Sequence, residues 1–430
     1  MNKTITGACG FGGTAEAPGD KSISHRALIL GAMAEGAVSI ANLSPGKDCA
    51  SSIACLRDLG VRIEAVGRME LNVEGCGISG LTEPSAVLDA GNSGTTMRLL
   101  CGLLARQSFY SVITGDRSLR NRPMRRVVDP LREMGARIFA TDGDTHAPIN
   151  IIGSPLSPID YTLPVPSAQV KSAILIAGLD CEGETTVREN VRSRDHTERM
   201  LKHMGADIST TGGAVTLRGG SRLTGGSIFV PGDISSAAYF VLAALLVRDS
   251  RLEIANVGLN PTRLGFIEVL KRMGAEISVR DVRTENGEPV GTIEARSSAL
   301  RAIEVTPDTV PSMVDEIPAL ALAATQAEGR TTIRGARELR FKESDRLRST
   351  AIELTRVGAR VTELEDGLEI EGPTGLTGAI CSTYDDHRLA LTLAVAGLIA
   401  KGETVIEDAE VVDISFPGFF EELGRLSNGK

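Results

Sequence analysis

Five short stretches repeat one pattern of apolar and polar positions: LRDLGVRI from Leu56, LREMGARI from Leu131, LKHMGADI from Leu201, LKRMGAEI from Leu270 and LTRVGARV from Leu354. In each, apolar residues at i and i+3 close a helix. A glycine follows where the chain needs left-handed backbone, and an apolar residue then opens an alternating stretch. The pattern predicts helix, left-handed turn and strand at Gly60, Gly135, Gly205, Gly274 and Gly358, at intervals of about 70 residues. A weaker echo, FEELGRL, makes Gly424 a sixth. Six such units predict a repeated α/β architecture of small subdomains, since the period is too long for a solenoid.

A second pattern alternates with the first. Runs that are apolar almost all round follow short polar openings: APGDKSISHRALIL, GNSGTTMRLL, VPSAQVKSAILIAGL, VPGDISSAAYFVLAALLV, VDEIPALALAA and DDHRLALTLAVAGLIA. Helices of this kind belong in a core. The PGD turn occurs twice, at Pro18 and Pro231, so the chain reads as two related halves of three units each. The expected domains are 20–230 and 1–19 plus 231–430, with a ligand in the cleft between them.

Charge makes the first PGD helix unusual. Asp20 reads as its N-cap, yet Lys21, His25 and Arg26 follow in the first turns, where the helix dipole disfavours cations. The second copy carries no cation there, so the cluster reads as functional. Ser93 to Thr96 form a small-residue helix start that suits an anion. Arg122 stands before Pro123, which is expected to open a helix and fix the guanidinium at a junction; Arg117, Arg120, Arg125 and Arg126 read equally well as surface. Ser167 reads as an N-cap, with Gln169 and Lys171 behind it. Asp195 and Glu198 read as a capping pair, and His196 as surface or capping. Asp315 and Glu316, the Lys342–Arg346 stretch, and Asp386, His387 and Arg388 crowd further helix starts. Carboxylates among such cations can do acid–base work.

Composition narrows the partners. A net charge of −9 and 3% aromatic residues argue against nucleic acid and against a charged membrane surface. Seven cysteines without a CxxC pair predict buried thiols rather than a disulfide framework or a metal site. No signal peptide or membrane-spanning run is read, so a cytoplasmic protein is expected.

The motifs PGDKSISHRAL, GNSGTTMRL, NRPM, SAQVKSA, SRDHTE, DEIPALA, KESDRL and DDHRLA, in this order between Pro18 and Pro417, resemble the 5-enolpyruvylshikimate-3-phosphate (EPSP) synthase family. The resemblance implies a two-domain inverse α/β barrel of six βαβαββ-like units. It implies no metal and no organic cofactor, and a monomer. The implied activity is enolpyruvyl transfer from phosphoenolpyruvate to shikimate 3-phosphate. By resemblance, Lys21, Ser22, Arg26, Ser167, Ala168, Gln169, Ser193, Asp315 and Lys342 bind shikimate 3-phosphate. Lys21, Gly94, Arg122, Gln169, Arg346 and Arg388 bind phosphoenolpyruvate. Asp315, Glu343 and Lys21 are the catalytic set.

Some positions depart from common members. Ala168 replaces a second serine, Asp195-His196 a segment that often carries a tyrosine, and Glu338 a frequent asparagine; no lysine stands beside Ser415. Glyphosate is the implied inhibitor. Several motifs suggest the less sensitive branch while Gly94 points the other way, so intermediate sensitivity is expected. The sister transferase acting on UDP-N-acetylglucosamine is the nearest rival, but the reactive cysteine it carries is missing from 113–123. A non-catalytic anion-binding protein of the same fold would not need Asp315 and Glu343 beside the arginines. An RNA-end-processing relative is disfavoured by charge and aromatic content.

Overall fold

The computed structural model describes residues 1–427. It divides into two compact units. One is nearly continuous, Gly19–Pro231 with Glu285–Glu288; the other is split into Met1–Pro18, Gly232–Thr284 and Pro289 onward. Each has its own apolar core. Glu285–Glu288 join the continuous unit, unlike the expected boundary. The Asn286 side chain accepts from Phe229 N at 2.8 Å and donates to Ser227 O at 3.0 Å, while Glu288 pairs with His196.

Among the described residues, five four-stranded sheets share one order. In Asp160–Thr162, Glu184–Arg188, Ala214–Arg218 and Ile208–Thr211, the first strand runs parallel to the second, the second antiparallel to the third, and the fourth closes on the third. A parallel pair needs a crossover, and the helix Ala168–Gly178 supplies it here. At the two PGD turns the pairing is exchanged. Gly12–Glu16 pairs with Arg251–Gly258 in the split unit, and Thr224–Phe229 pairs with Glu35–Ala41 in the continuous one. The remaining sheet has three strands; the N-terminal Lys3–Thr6 lies antiparallel to Glu403–Ile406.

The apolar runs form the helices Lys21–Ala32, Gly94–Leu104 and Ala168–Gly178 in one unit, and Ile234–Leu246, Ile317–Gln326 and His387–Ile399 in the other. Nearly every residue beyond their first turn is buried, as all-round apolar sequence requires. Approach is close: a Cβ on Gly102 would lie 2.2 Å from the Ala173 carbonyl oxygen. No helix among the described residues is long and apolar enough to cross a membrane.

The five repeat glycines end their helices alike, with φ of +88° to +100°. At Gly60, its N–H reaches Arg57 O at 2.9 Å and Val61 N–H reaches Leu56 O at 3.0 Å, the paired bonds of a Schellman motif. Gly424 does not join them. It lies inside the helix Phe419–Ser427, so the sixth echo is a helix-interior glycine rather than a cap. Five cysteines are buried and two, Cys9 and Cys76, are exposed.

Candidate active site

The polar residues form one group in each unit. In the continuous unit, three helix starts are tied together by side chains. Asp20 caps the first, accepting from Ile23 N at 2.9 Å, and Ser93 and Ser167 cap the other two. Buried His25 reaches Ser52 at 2.8 Å, and Ser52 reaches Thr96 at 2.8 Å, which joins the first helix to the second. Gln169 accepts from Arg98 at 2.5 Å and donates to Thr95 at 2.9 Å, which joins the second to the third. Buried Arg26 donates to Ser172 at 2.8 Å and Thr197 at 2.6 Å, which joins the first to the third. Three N-termini held side by side offer backbone N–H groups and aligned dipoles to an anion.

Cations line this group. Lys21 pairs with Asp48 at 2.9 Å. Burial pulls Arg26 down to about 10 against the raising pull of Glu198 and Asp20, which leaves it charged at neutral pH. Arg122 is buried and donates to Asn92 at 2.6 Å. It follows the short helix Arg117–Arg120, and the next helix begins at Arg125 rather than Pro123. Arg117, Arg120 and Arg125 are exposed. A Cβ on Gly94 would stand 3.2 Å from the Arg98 Nη1 and 3.3 Å from the Arg122 Nη1, so two guanidinium tips flank this glycine.

Three sequence readings are corrected here. His25 is no cation: burial, then Lys21 and Arg26, hold it well below the usual histidine value. Asp195 makes no capping bond; its carboxylate binds Arg192 at 2.7 Å and Arg199 at 2.9 Å. His196 is buried against Glu288 at 2.8 Å, not on the surface.

Sequence reasoning also missed a buried ion cluster. Lys171 Nζ lies 2.6 Å from Glu189 and 2.7 Å from Glu198, with the Lys171 side chain 1% exposed. Burial raises Glu198 while Lys171 holds it down. Ser193, buried, donates its hydroxyl to Glu189. Ala168 opens its helix, and its carbonyl accepts from Ser172 at 2.6 Å; the Ser22 carbonyl accepts from Arg26 at 2.8 Å.

The split unit holds the acid–base candidates around Arg346. This fully buried guanidinium donates to Asp386 at 2.8 and 3.1 Å and to Glu343 at 2.5 Å, with Asp315 at 3.5 Å. Burial alone would lower Arg346, but Asp386, Glu343 and Asp315 together raise it. Asp386 also accepts from Arg388 N at 2.9 Å as the cap of its helix, and from Ser344 at 3.1 Å. The sequence shows only a charged helix start at Asp386; its hold on Arg346 spans 40 residues. Arg388 is buried, and its Nη1 has no hydrogen-bond partner among the described residues. Burial draws Lys342 below the usual lysine value and Asp315 draws it back. Carboxylates, a lysine and two guanidinium groups together can move protons beside an anionic substrate.

The second PGD turn overturns another reading. Asp233 caps its helix through Ser235 N at 3.0 Å, and buried Arg263 donates to Asp233 at 3.2 Å and to the Ser235 hydroxyl at 2.5 Å. The helix is uncharged in sequence, but its cap is supplied with a cation from the NPTR segment.

Residues 7–423 match the EPSP synthase (3-phosphoshikimate 1-carboxyvinyltransferase) family. The chain is 50% identical to the 3-phosphoshikimate 1-carboxyvinyltransferase of Bacillus cereus over 97% of each chain. It is 51% identical to that of Desulforudis audaxviator over 99% of each. An EPSP synthase structure from Acinetobacter baumannii superposes with a TM-score of 0.88 at 44% identity, covering 99% of this chain and 98% of that one. The enolpyruvyl transferase NikO from Streptomyces tendae, at 21% identity, 98% and 96% coverage and a TM-score of 0.80, shares the fold.

Proposed function

The chain belongs to the EPSP synthase family, and from that premise we propose that it transfers the enolpyruvyl group of phosphoenolpyruvate to the 5-hydroxyl of shikimate 3-phosphate, releasing phosphate. The observation that carries this reading is the pairing of chemistries: donors and cations on three joined helix starts, and Asp315 and Glu343 on one guanidinium. Lys21, Ser22, Arg26, Ser167, Gln169 and Ser193 take shikimate 3-phosphate, with Ala168 contributing backbone in place of a hydroxyl. Lys21, Gly94, Arg122, Gln169, Arg346 and Arg388 take phosphoenolpyruvate. Asp315 removes the proton from the 5-hydroxyl, with Lys342 on the same substrate, and Glu343 with Lys21 delivers a proton to the methylene carbon. The hydroxyl oxygen bonds to C2, giving a tetrahedral intermediate. Loss of a methyl proton and cleavage of the C2–O bond to phosphate restore the double bond.

The test is phosphate release from phosphoenolpyruvate with and without shikimate 3-phosphate, for wild type and Asp315→Ala, after chelator treatment. Release that needs both substrates, survives the chelator and collapses in the variant supports the reading. Release with UDP-N-acetylglucosamine instead, or silence with both acceptors, overturns it. The protein works as a cytoplasmic monomer without metal or organic cofactor. Glyphosate inhibits it with intermediate strength; an inhibition constant matching the most sensitive relatives would refute that.

A further inference from the structure

The Ser193 hydroxyl has one proton, and it is committed to Glu189. A phosphate offers only acceptors, so a serine that serves it must give it that same proton. Glu189 thus competes with the substrate for one donor. The carboxylate can give the donor up cheaply only if another partner remains, because a buried charge left alone is costly. Lys171 is that partner. Its ammonium sits on Glu189 and Glu198 at once, from the helix that Ser167 caps. Arg26 and Ser172 hold Thr197, next to Glu198, so the cluster is packed against the same group.

We infer that Glu189 stores the Ser193 hydroxyl in the free protein and yields it to the substrate phosphate, and that Lys171 is the positioning residue that keeps Glu189 in place through the exchange. The inference rests on the shikimate 3-phosphate reading. It makes an unusual demand: removing the Glu189 charge improves substrate binding. In Glu189→Gln the amide oxygen still accepts from Lys171, and the amide NH2 donates to the Ser193 oxygen, which frees the serine proton for phosphate.

The experiment is calorimetric titration of full-length protein with shikimate 3-phosphate. Glu189→Gln is expected to bind at least about threefold tighter, in line with one released hydrogen bond. The gain is expected to vanish when Ser193→Ala is added, as a double-mutant cycle reads it. Equal or weaker binding by folded Glu189→Gln overturns the exchange, and so does a gain that survives Ser193→Ala. Should Glu189→Gln fail to fold, Ser193→Ala alone decides: a donor recovered from Glu189 costs less than about threefold, whereas a dedicated donor costs about tenfold or more. Lys171→Arg is expected to keep the KM for shikimate 3-phosphate. Lys171→Met is expected to raise that KM while leaving the KM for phosphoenolpyruvate within about twofold. Wild type that binds no shikimate 3-phosphate, while Glu189→Gln is equally silent, overturns the functional reading itself and this inference with it.

Discussion

The two PGD turns solve the same local problem in opposite ways. At the first, Asp20 caps a helix whose own residues carry the cations, and Lys21 turns to Asp48. At the second, Asp233 caps an uncharged helix, and Arg263 arrives from another segment to hold the cap. Arg263 is 3% exposed, whereas the Lys21 side chain is 18% exposed beside the Asp48 carboxylate. A cation near this turn is therefore no sign of function by itself. What separates the two is burial: Arg263 is sealed inside the fold, whereas Lys21 keeps part of its side chain at the surface.

The sharpest way to break that comparison is to delete both cations. Lys21→Met is expected to lose at least about a hundredfold in kcat/KM for phosphoenolpyruvate, with a Tm within a few degrees of wild type, because it removes the proposed substrate contact and a partly exposed pair. Arg263→Met is expected to do the reverse. Breaking a buried pair costs about 3–5 kcal/mol, so thermal melts should show a fall of roughly 6–15 °C. A stable Arg263→Met with low activity would reverse the assignment of the two turns.

A smaller effect concerns His25, a position where the second copy has Ala238. Its folded-state value lies well below the unfolded 6.5, so below pH 6.5 the unfolded chain binds the extra proton. Stability is then complete above about pH 6.5 and falls as the pH drops, by up to about 1.4 kcal/mol per unit. Urea midpoints across pH 5–7 are expected to show a shallower acid slope for His25→Asn. An unchanged slope would mean that other groups set it. The smallest effect separates the repeat ends. Gly424→Ala, with no described atom within 4 Å of its new Cβ, is expected to stabilise by about 0.5–1 kcal/mol, whereas Gly358→Ala at φ +96° destabilises. Denaturant melts of both variants give the signs.

The repeat ends and buried helices were legible because both are written in short windows. A Schellman glycine needs only its neighbours, and an apolar run states its own burial. The caps at Asp20 and Ser167 were readable for the same reason. Arg346 with Asp386, Arg98 with Gln169 and His196 with Glu288 were not, being 40, 71 and 92 residues apart. The His196 misreading has this cause: a histidine in a polar loop looks exposed until its distant carboxylate is known. Arg263 was hidden similarly, since NPTR carries no mark of the turn it serves.

The strand Lys3–Thr6 pairs with Glu403–Ile406, so the first structure-forming residues to be synthesised must wait for almost the last. The continuous unit has no such delay; apart from Glu285–Glu288 all of it is made by residue 231. During translation the middle of the chain is expected to become protease-resistant while both ends of the split unit are still unpaired. Ribosome-bound chains stalled near residue 330 should yield a resistant fragment beginning near Gly19. One beginning near Met1 would show that the N-terminal strand finds another partner first.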